Sequence, residues 1–177
     1  MVATDSGAQS VVPSDLMQVA AGVRARLAAA GVFGEVRAGT GVVLLVATAK
    51  ESAAPAEYRL EWDAKKKCGY VSLVMADRWL SESIESHLVE HGDKMEELLE
   101  DELVEIGYFD VGGVAIDHIE HFRSDDKLFT FRAKLPQSRG GEVNSGESVE
   151  VTTRLVLGFE MCFRQLGDME AGPEGES

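Results

Sequence analysis

The feature that limits this chain most is a series of two-residue periods between Gly34 and Met75. Tyr58, Leu60 and Trp62 fall on one side of an extended chain, and Glu57, Arg59 and Glu61 on the other. That alternation predicts a strand over 57–62 with one covered face and one polar face. Upstream, Gly39-Thr40-Gly41 reads as a turn between short strands at 34–38 and 42–49. The run Val42-Val43-Leu44-Leu45-Val46 has no polar alternation, which predicts a strand covered on both faces. Downstream, Asp63 to Gly69 contains Lys65-Lys66-Lys67 and reads as a loop, and Tyr70 to Met75 returns as the next strand. Short strands joined by polar turns predict an antiparallel meander, whose apolar face must be covered by other elements.

Helical periods flank this β-rich stretch. Leu16, Val19, Ala20, Val23, Leu27 and Ala30 predict a helix over 15–30, with Ser14 as its N-cap and Gly31 as its stop. Asp77 opens a second helical region, where Leu80, Ile84, Leu88, His91, Met95 and Leu98 form one stripe. His91-Gly92-Asp93 interrupts it, with Gly92 suited to a left-handed C-cap and Asp93 with Glu96 resembling a capping box. Two helices, about 78–91 and 94–105, are therefore expected. Further on, Val114, Ile116 and His118 alternate with Ala115, Asp117 and Ile119, and a second alternating run covers 128–135. A polar corner at Arg123-Ser124-Asp125-Asp126 joins these into a predicted hairpin. Residues 149–163 fit a strand period and a helix period equally well, but their unbroken length favours a helix over about 148–166. Thr152, Thr153 and Gly158 weigh against that choice.

The expected fold class is α+β: an antiparallel sheet of five or six strands with helices packed on one side. Residues 13–166 are expected to form a single domain, between a disordered segment 1–12 and an acidic disordered tail 167–177. Residues 137–146, QSRGGEVNSG, have the composition of a linker.

Charge narrows the partners. The formal net charge is −14. Residues 77–105 hold 11 acids against Arg78 and Lys94, and 167–177 hold four acids, so these two regions account for −13 of it. Such acidity argues against nucleic acid and against anionic membrane as partners. The longest apolar run, Gly41 to Ala47, is too short to span a bilayer, and MVATDSGAQSVVPS lacks the pattern of a secretory signal. Cys68 and Cys162 show no CxxC spacing. A cytoplasmic location is the expectation.

The sharpest chemical signal is His87-Leu88-Val89-Glu90-His91. Histidines four apart share a helical face and suit zinc, with a glutamate alongside as base. This HxxEH string resembles the motif of the inverzincin metallopeptidases. The resemblance implies His87 and His91 as metal ligands and Glu90 as general base. Zinc needs further ligands, for which Asp117, His118, Glu120, His121, Glu96 and Glu97 are the available candidates. The competing reading places His91 at a helix end, where it satisfies the last carbonyls. Cys68, next to three lysines, reads as a loop thiol, and Cys162 between Met161 and Phe163 as packing. No GxSxG, Walker A or dinucleotide-binding pattern occurs.

The whole order of elements resembles the type III secretion chaperone-like fold over residues 14–166. The matching features are the amphipathic start Leu16–Ala30, the strand ending YVSLVM, the helix from Asp77, and LFTFRAKLP before a last helix. The resemblance implies a small acidic cytoplasmic protein, often dimeric, that binds amphipathic or partly unfolded protein segments. The expected function is accordingly a non-enzymatic protein-binding or chaperone-like domain, a homodimer with no cofactor. The alternative is a zinc-dependent hydrolase using His87, Glu90 and His91.

Overall fold

The computed structural model describes residues 11–136 and 145–170. The elements run α1 (Ser14–Ala30), β1 (Val36–Ala38), β2 (Val43–Thr48), β3 (Ala56–Asp63), β4 (Cys68–Met75), α2 (Arg78–His91), α3 (Met95–Glu105), β5 (Ile119–Arg123), β6 (Phe129–Lys134) and α4 (Ser145–Arg164). Short 3-10 turns follow at Phe109–Val111 and Gly167–Met169. One six-stranded antiparallel sheet has the order β1-β2-β3-β4-β6-β5. The fold is α+β, with the helices gathered on one face of this sheet.

Strand alternation divides that sheet into two unlike faces. Tyr58 and Leu60 of β3, Val71, Leu73 and Met75 of β4, and Phe131 and Ala133 of β6 belong to one buried cluster. The same cluster takes Val19, Val23 and Leu27 of α1, Leu80 and Ile84 of α2, Leu99 and Leu103 of α3, and Leu155, Phe159 and Phe163 of α4. A single core therefore lies between one sheet face and all four helices. Phe131, Phe163 and Phe159 form an aromatic chain through it, with ring centroids 5.3 and 4.9 Å apart.

Helix 4 resolves the ambiguity of its sequence. Thr152, Thr153 and Gly158, unfavourable by propensity, all sit where packing decides. A Cβ at Gly158 would lie 2.5 Å from Leu103 Cδ2, so the missing side chain is what lets α4 approach α3. Asp77 caps α2 as expected, its carboxylate accepting from the Leu80 N–H at 2.7 Å. Gly92 ends that helix with φ of 68°.

Five expectations need correction. Ser14 is the first helical residue, preceded by Pro13 with no side-chain cap. Asp93 and Glu96 form no capping box, because α3 starts after Lys94 and Glu96 is used elsewhere. Cys68 is no loop thiol but the buried first residue of β4. The strand predicted from Val114 starts only at Ile119, because the Tyr108 hydroxyl donates to the Val114 carbonyl (2.9 Å) and accepts from its N–H (3.3 Å). That clasp holds the segment away from the sheet. The domain also continues past residue 166: Met169 is buried, and the Asp168 carbonyl accepts from the Ala53 N–H at 2.9 Å. Residues 1–10, 137–144 and 171–177, which contain most of the predicted tails and linker, lie outside the described residues.

Candidate functional site

The face of the sheet turned away from the helices carries a network of charged side chains among a few apolar ones. The strand registers align Arg37, Val46, Arg59, Ser72, Arg132 and Glu120 in one row across all six strands. Their neighbours on the same face complete a network. Arg59 pairs with Glu57 at 2.7 Å and with Glu61 at 3.6 Å, and the Ser72 hydroxyl donates to Glu61 at 2.9 Å. Arg132 donates to Glu120 at 2.6 Å and lies 3.5 Å from Asp63. Its guanidinium sits between two rings, 3.9 Å from the Tyr70 centroid and 4.9 Å from that of Phe122. Val46, Ser72, Val74 and Thr130 on the same face are buried.

The network moves the charges of its members. Burial works to raise the Glu120 carboxyl, but hydrogen bonds from Arg132 and Lys66, with their charges, hold it below the usual carboxylate range. The Asp63 carboxyl is lowered chiefly by the Lys66 backbone N–H, against a smaller effect of burial. Burial also pushes the Tyr70 phenol upward, with the Cys68 thiol adding to the effect.

At one corner of this face lies a shallow cleft of about 400 Å³. Tyr70, Glu120 and Lys134 border it on the sheet, and the irregular segment Val114–His118 borders it opposite. Leu135 and Pro136 form part of its wall. The cleft exists because the β5–β6 ladder stops at Ile119↔Ala133 while the two chains continue apart. Leu135 donates its N–H to the Gly69 carbonyl, so by antiparallel alternation the N–H and C=O of Lys134 turn toward the β5 side. Across the gap, Ala115, Ile116, Asp117 and His118 make no backbone–backbone hydrogen bond to any described residue. The cleft thus presents the backbone of residues 115–118, without a backbone partner among the described residues, beside apolar and charged side chains.

The residues singled out by sequence are spread over several places. His87 and His91 stack at the end of α2, ring centroids 4.3 Å apart. The His91 Nδ1 lies 2.8 Å from the His87 carbonyl oxygen, the helix-end role that competed with metal ligation. Glu90 beside them is exposed. His118 faces Glu96 of α3 at 3.3 Å, and Glu96 also accepts from the Ile119 N–H at 2.9 Å. Burial tends to raise the Glu96 carboxyl, yet these donors keep it below its ordinary range. Glu97 pairs with Lys94 at 3.5 Å. His121 lies on the helix side, against Phe131 and Glu85. Of the second group, Asp117, His118 and Glu120 border the cleft together. Among the described residues, no group of three or more His, Cys, Asp or Glu side chains is placed to hold a metal ion. Both cysteines are free and buried, and burial pushes the Cys162 thiol up to about 12, with the charge of Glu102 adding to it.

Sequence reading missed Arg132, Tyr70 and Lys134 as neighbours. The alternation of β4 and β6 puts each on a known face, but only the register brings them together. No described helix is long and apolar enough to cross a membrane. Comparison with family models, with curated proteins and with solved structures finds no match to this chain.

Proposed function

We propose that the protein is a non-enzymatic, chaperone-like binding protein of the cytoplasm that takes an extended segment of another protein into the cleft, and that it works as a homodimer. The observation that carries this reading is the run of backbone at residues 115–118 that makes no backbone–backbone hydrogen bond to any described residue and faces the end of β6 across one gap. An extended peptide satisfies such a run by adding its own N–H and C=O groups, and takes its specificity from the side chains around it. Here those are Val114 and Ile116 for apolar contact, and Lys134, Asp117 and His118 for polar contact. Self-association has apolar surface available on α2, where Trp79 and Val89 are 74% and 81% exposed.

The test is site-specific photo-crosslinking in cells, with the reactive residue at Ile116 and, as a control, at the exposed Arg24 on α1. Adducts specific to position 116, mapping to one extended segment of a partner, are the expected result. Equal labelling from both positions, together with a strictly monomeric protein at high concentration, would remove the reading.

A further inference from the structure

We propose that His121 is a protonation-dependent latch joining α2 to the edge strand β5, closed when the imidazole carries both protons. The Nδ1 of His121 lies 3.1 Å from the Thr130 carbonyl oxygen, and its Nε2 lies 2.8 Å from Glu85 Oε1 on α2. A carbonyl and an ionised carboxylate only accept hydrogen bonds. Both ring nitrogens must therefore donate, which only the imidazolium does. Losing either proton leaves two acceptors facing each other, at the carboxylate or at the carbonyl.

The ring is fixed in that position independently of its charge. It stacks on Phe131 with centroids 3.8 Å apart and planes 11° from parallel, and Phe131 is itself held by Phe163 of α4. The other charged groups nearby are engaged elsewhere. On α2, Arg78 and Glu82 pair with each other. On β5, Glu120 is bound to Arg132 and Lys66 on the opposite sheet face, and Arg123 lies over the Phe129 ring. Glu96 of α3 answers to His118 and the Ile119 N–H, and on α4 Arg164 pairs with Glu160. On β6 the ring meets a carbonyl and an aromatic face, with no titratable group. Glu85 is the carboxylate in contact with the ring.

When the proton leaves, α2 keeps its apolar anchors Leu80 and Ile84 but loses the charged part of its tie to the sheet edge, because a neutral ring can donate to Glu85 only while its bare Nδ1 faces the Thr130 carbonyl. The edge strand is then held less firmly to α2, while the Glu96 bond to the Ile119 N–H still ties it to α3. Acidification closes the latch again.

The test is a double-mutant cycle on the full chain, using Glu85→Ala and His121→Phe. The second keeps an aromatic ring on Phe131 while removing both N–H donors. The His118–Glu96 pair is present in all four proteins and cancels. Unfolding equilibrium constants are compared at about pH 5 and about pH 8, the limits between which an imidazole ordinarily changes charge. A coupling of roughly two- to fivefold is expected at the lower pH, the range of a solvent-accessible ion pair, falling to near unity at the higher. In the wild-type protein, ring nitrogen NMR at the lower pH should show both His121 nitrogens protonated. Equal coupling at both pH values, no coupling at either, or a singly protonated ring at the lower pH would overturn the proposal.

Discussion

Replacing Tyr108 by Phe removes one oxygen atom and tests how the cleft is built. The phenol is fully buried, donates to the Val114 carbonyl at 2.9 Å and accepts from the Val114 N–H at 3.3 Å. Phe keeps the ring and its packing against Gly113, where a Cβ would come within 2.4 Å of the ring edge. The loss is then the two hydrogen bonds alone. A typical intramolecular hydrogen bond contributes about 1 kcal/mol net, and Val114 is 49% exposed, so water can serve its freed groups. The expected destabilisation is therefore about 1–2 kcal/mol in urea unfolding, with the slope unchanged. The larger effect is local. Hydrogen exchange over residues 113–118 should rise while that of β4 and β6 holds, and the peptide binding proposed for the cleft should weaken.

Alkaline pH supplies an internal check on Tyr108. Burial raises the phenol to about 12, with the Val114 bond opposing, so the folded state holds the proton more tightly than the unfolded chain. Wild-type stability should fall as pH rises from the ordinary value of 10 toward 12, and the advantage over Tyr108→Phe should shrink across that window. An unchanged exchange pattern at 113–118, or a destabilisation that does not depend on alkaline pH, would refute the clasp.

Other perturbations address other parts of the fold. Glu160 is buried with Oε2 lacking a hydrogen-bond partner among the described residues, and burial raises its carboxyl, with Arg164 opposing and Glu170 and Glu102 adding to the rise. A raised carboxyl costs stability as pH increases through its titration, so Glu160→Gln should raise the Tm at neutral pH and converge with wild type below the ordinary value of 4.5. Gly158→Ala should cost about 1–3 kcal/mol by overpacking against Leu103, measured by denaturant midpoint, and Leu103→Val should restore part of it in the double variant. Asp77→Ala should cost about 1 kcal/mol through the lost cap on Leu80, read by thermal unfolding. His91→Ala should lower stability by up to about 1 kcal/mol through its lost bond to the His87 carbonyl, also read thermally.

Local pattern was enough wherever one period dominated. The alternation at 57–62, the helical stripe after Asp77 and the stop at Gly92 are all read from side-chain spacing, and the structure keeps them. The segment from Val114 shows the limit. Its alternation is genuine, but a hydroxyl six residues upstream captures Val114 and starts the strand late. Such capture depends on Tyr108 being buried, a tertiary fact that no local period contains. Glu96 is similar: its spacing from Asp93 fits a capping box, yet an edge-strand N–H from 23 residues away claims the carboxylate. The charged row across the sheet was half legible. Alternation gives the face of Arg59 and Arg132, but their meeting with Tyr70, Asp63 and Glu120 follows from strand order, where β6 enters between β4 and β5.

The placement of α4 has a consequence for how the chain comes into being. All six strands precede it in sequence, and it packs against both α1 and α3 over their shared core. Ala30 ends α1 and Ser145 begins α4, so α1 leaves the ribosome more than a hundred residues before its partner helix exists. At about 5–20 residues per second, that interval is on the order of ten seconds. Late in it, once β6 has been made, Phe131, Leu73 and Tyr58 present a sheet face that α4 does not yet cover, the kind of surface that aggregates when chains are crowded. Newly made copies are therefore expected to be most prone to aggregation just before α4 arrives, and polysomes depleted of holding chaperones should accumulate this protein in the insoluble fraction.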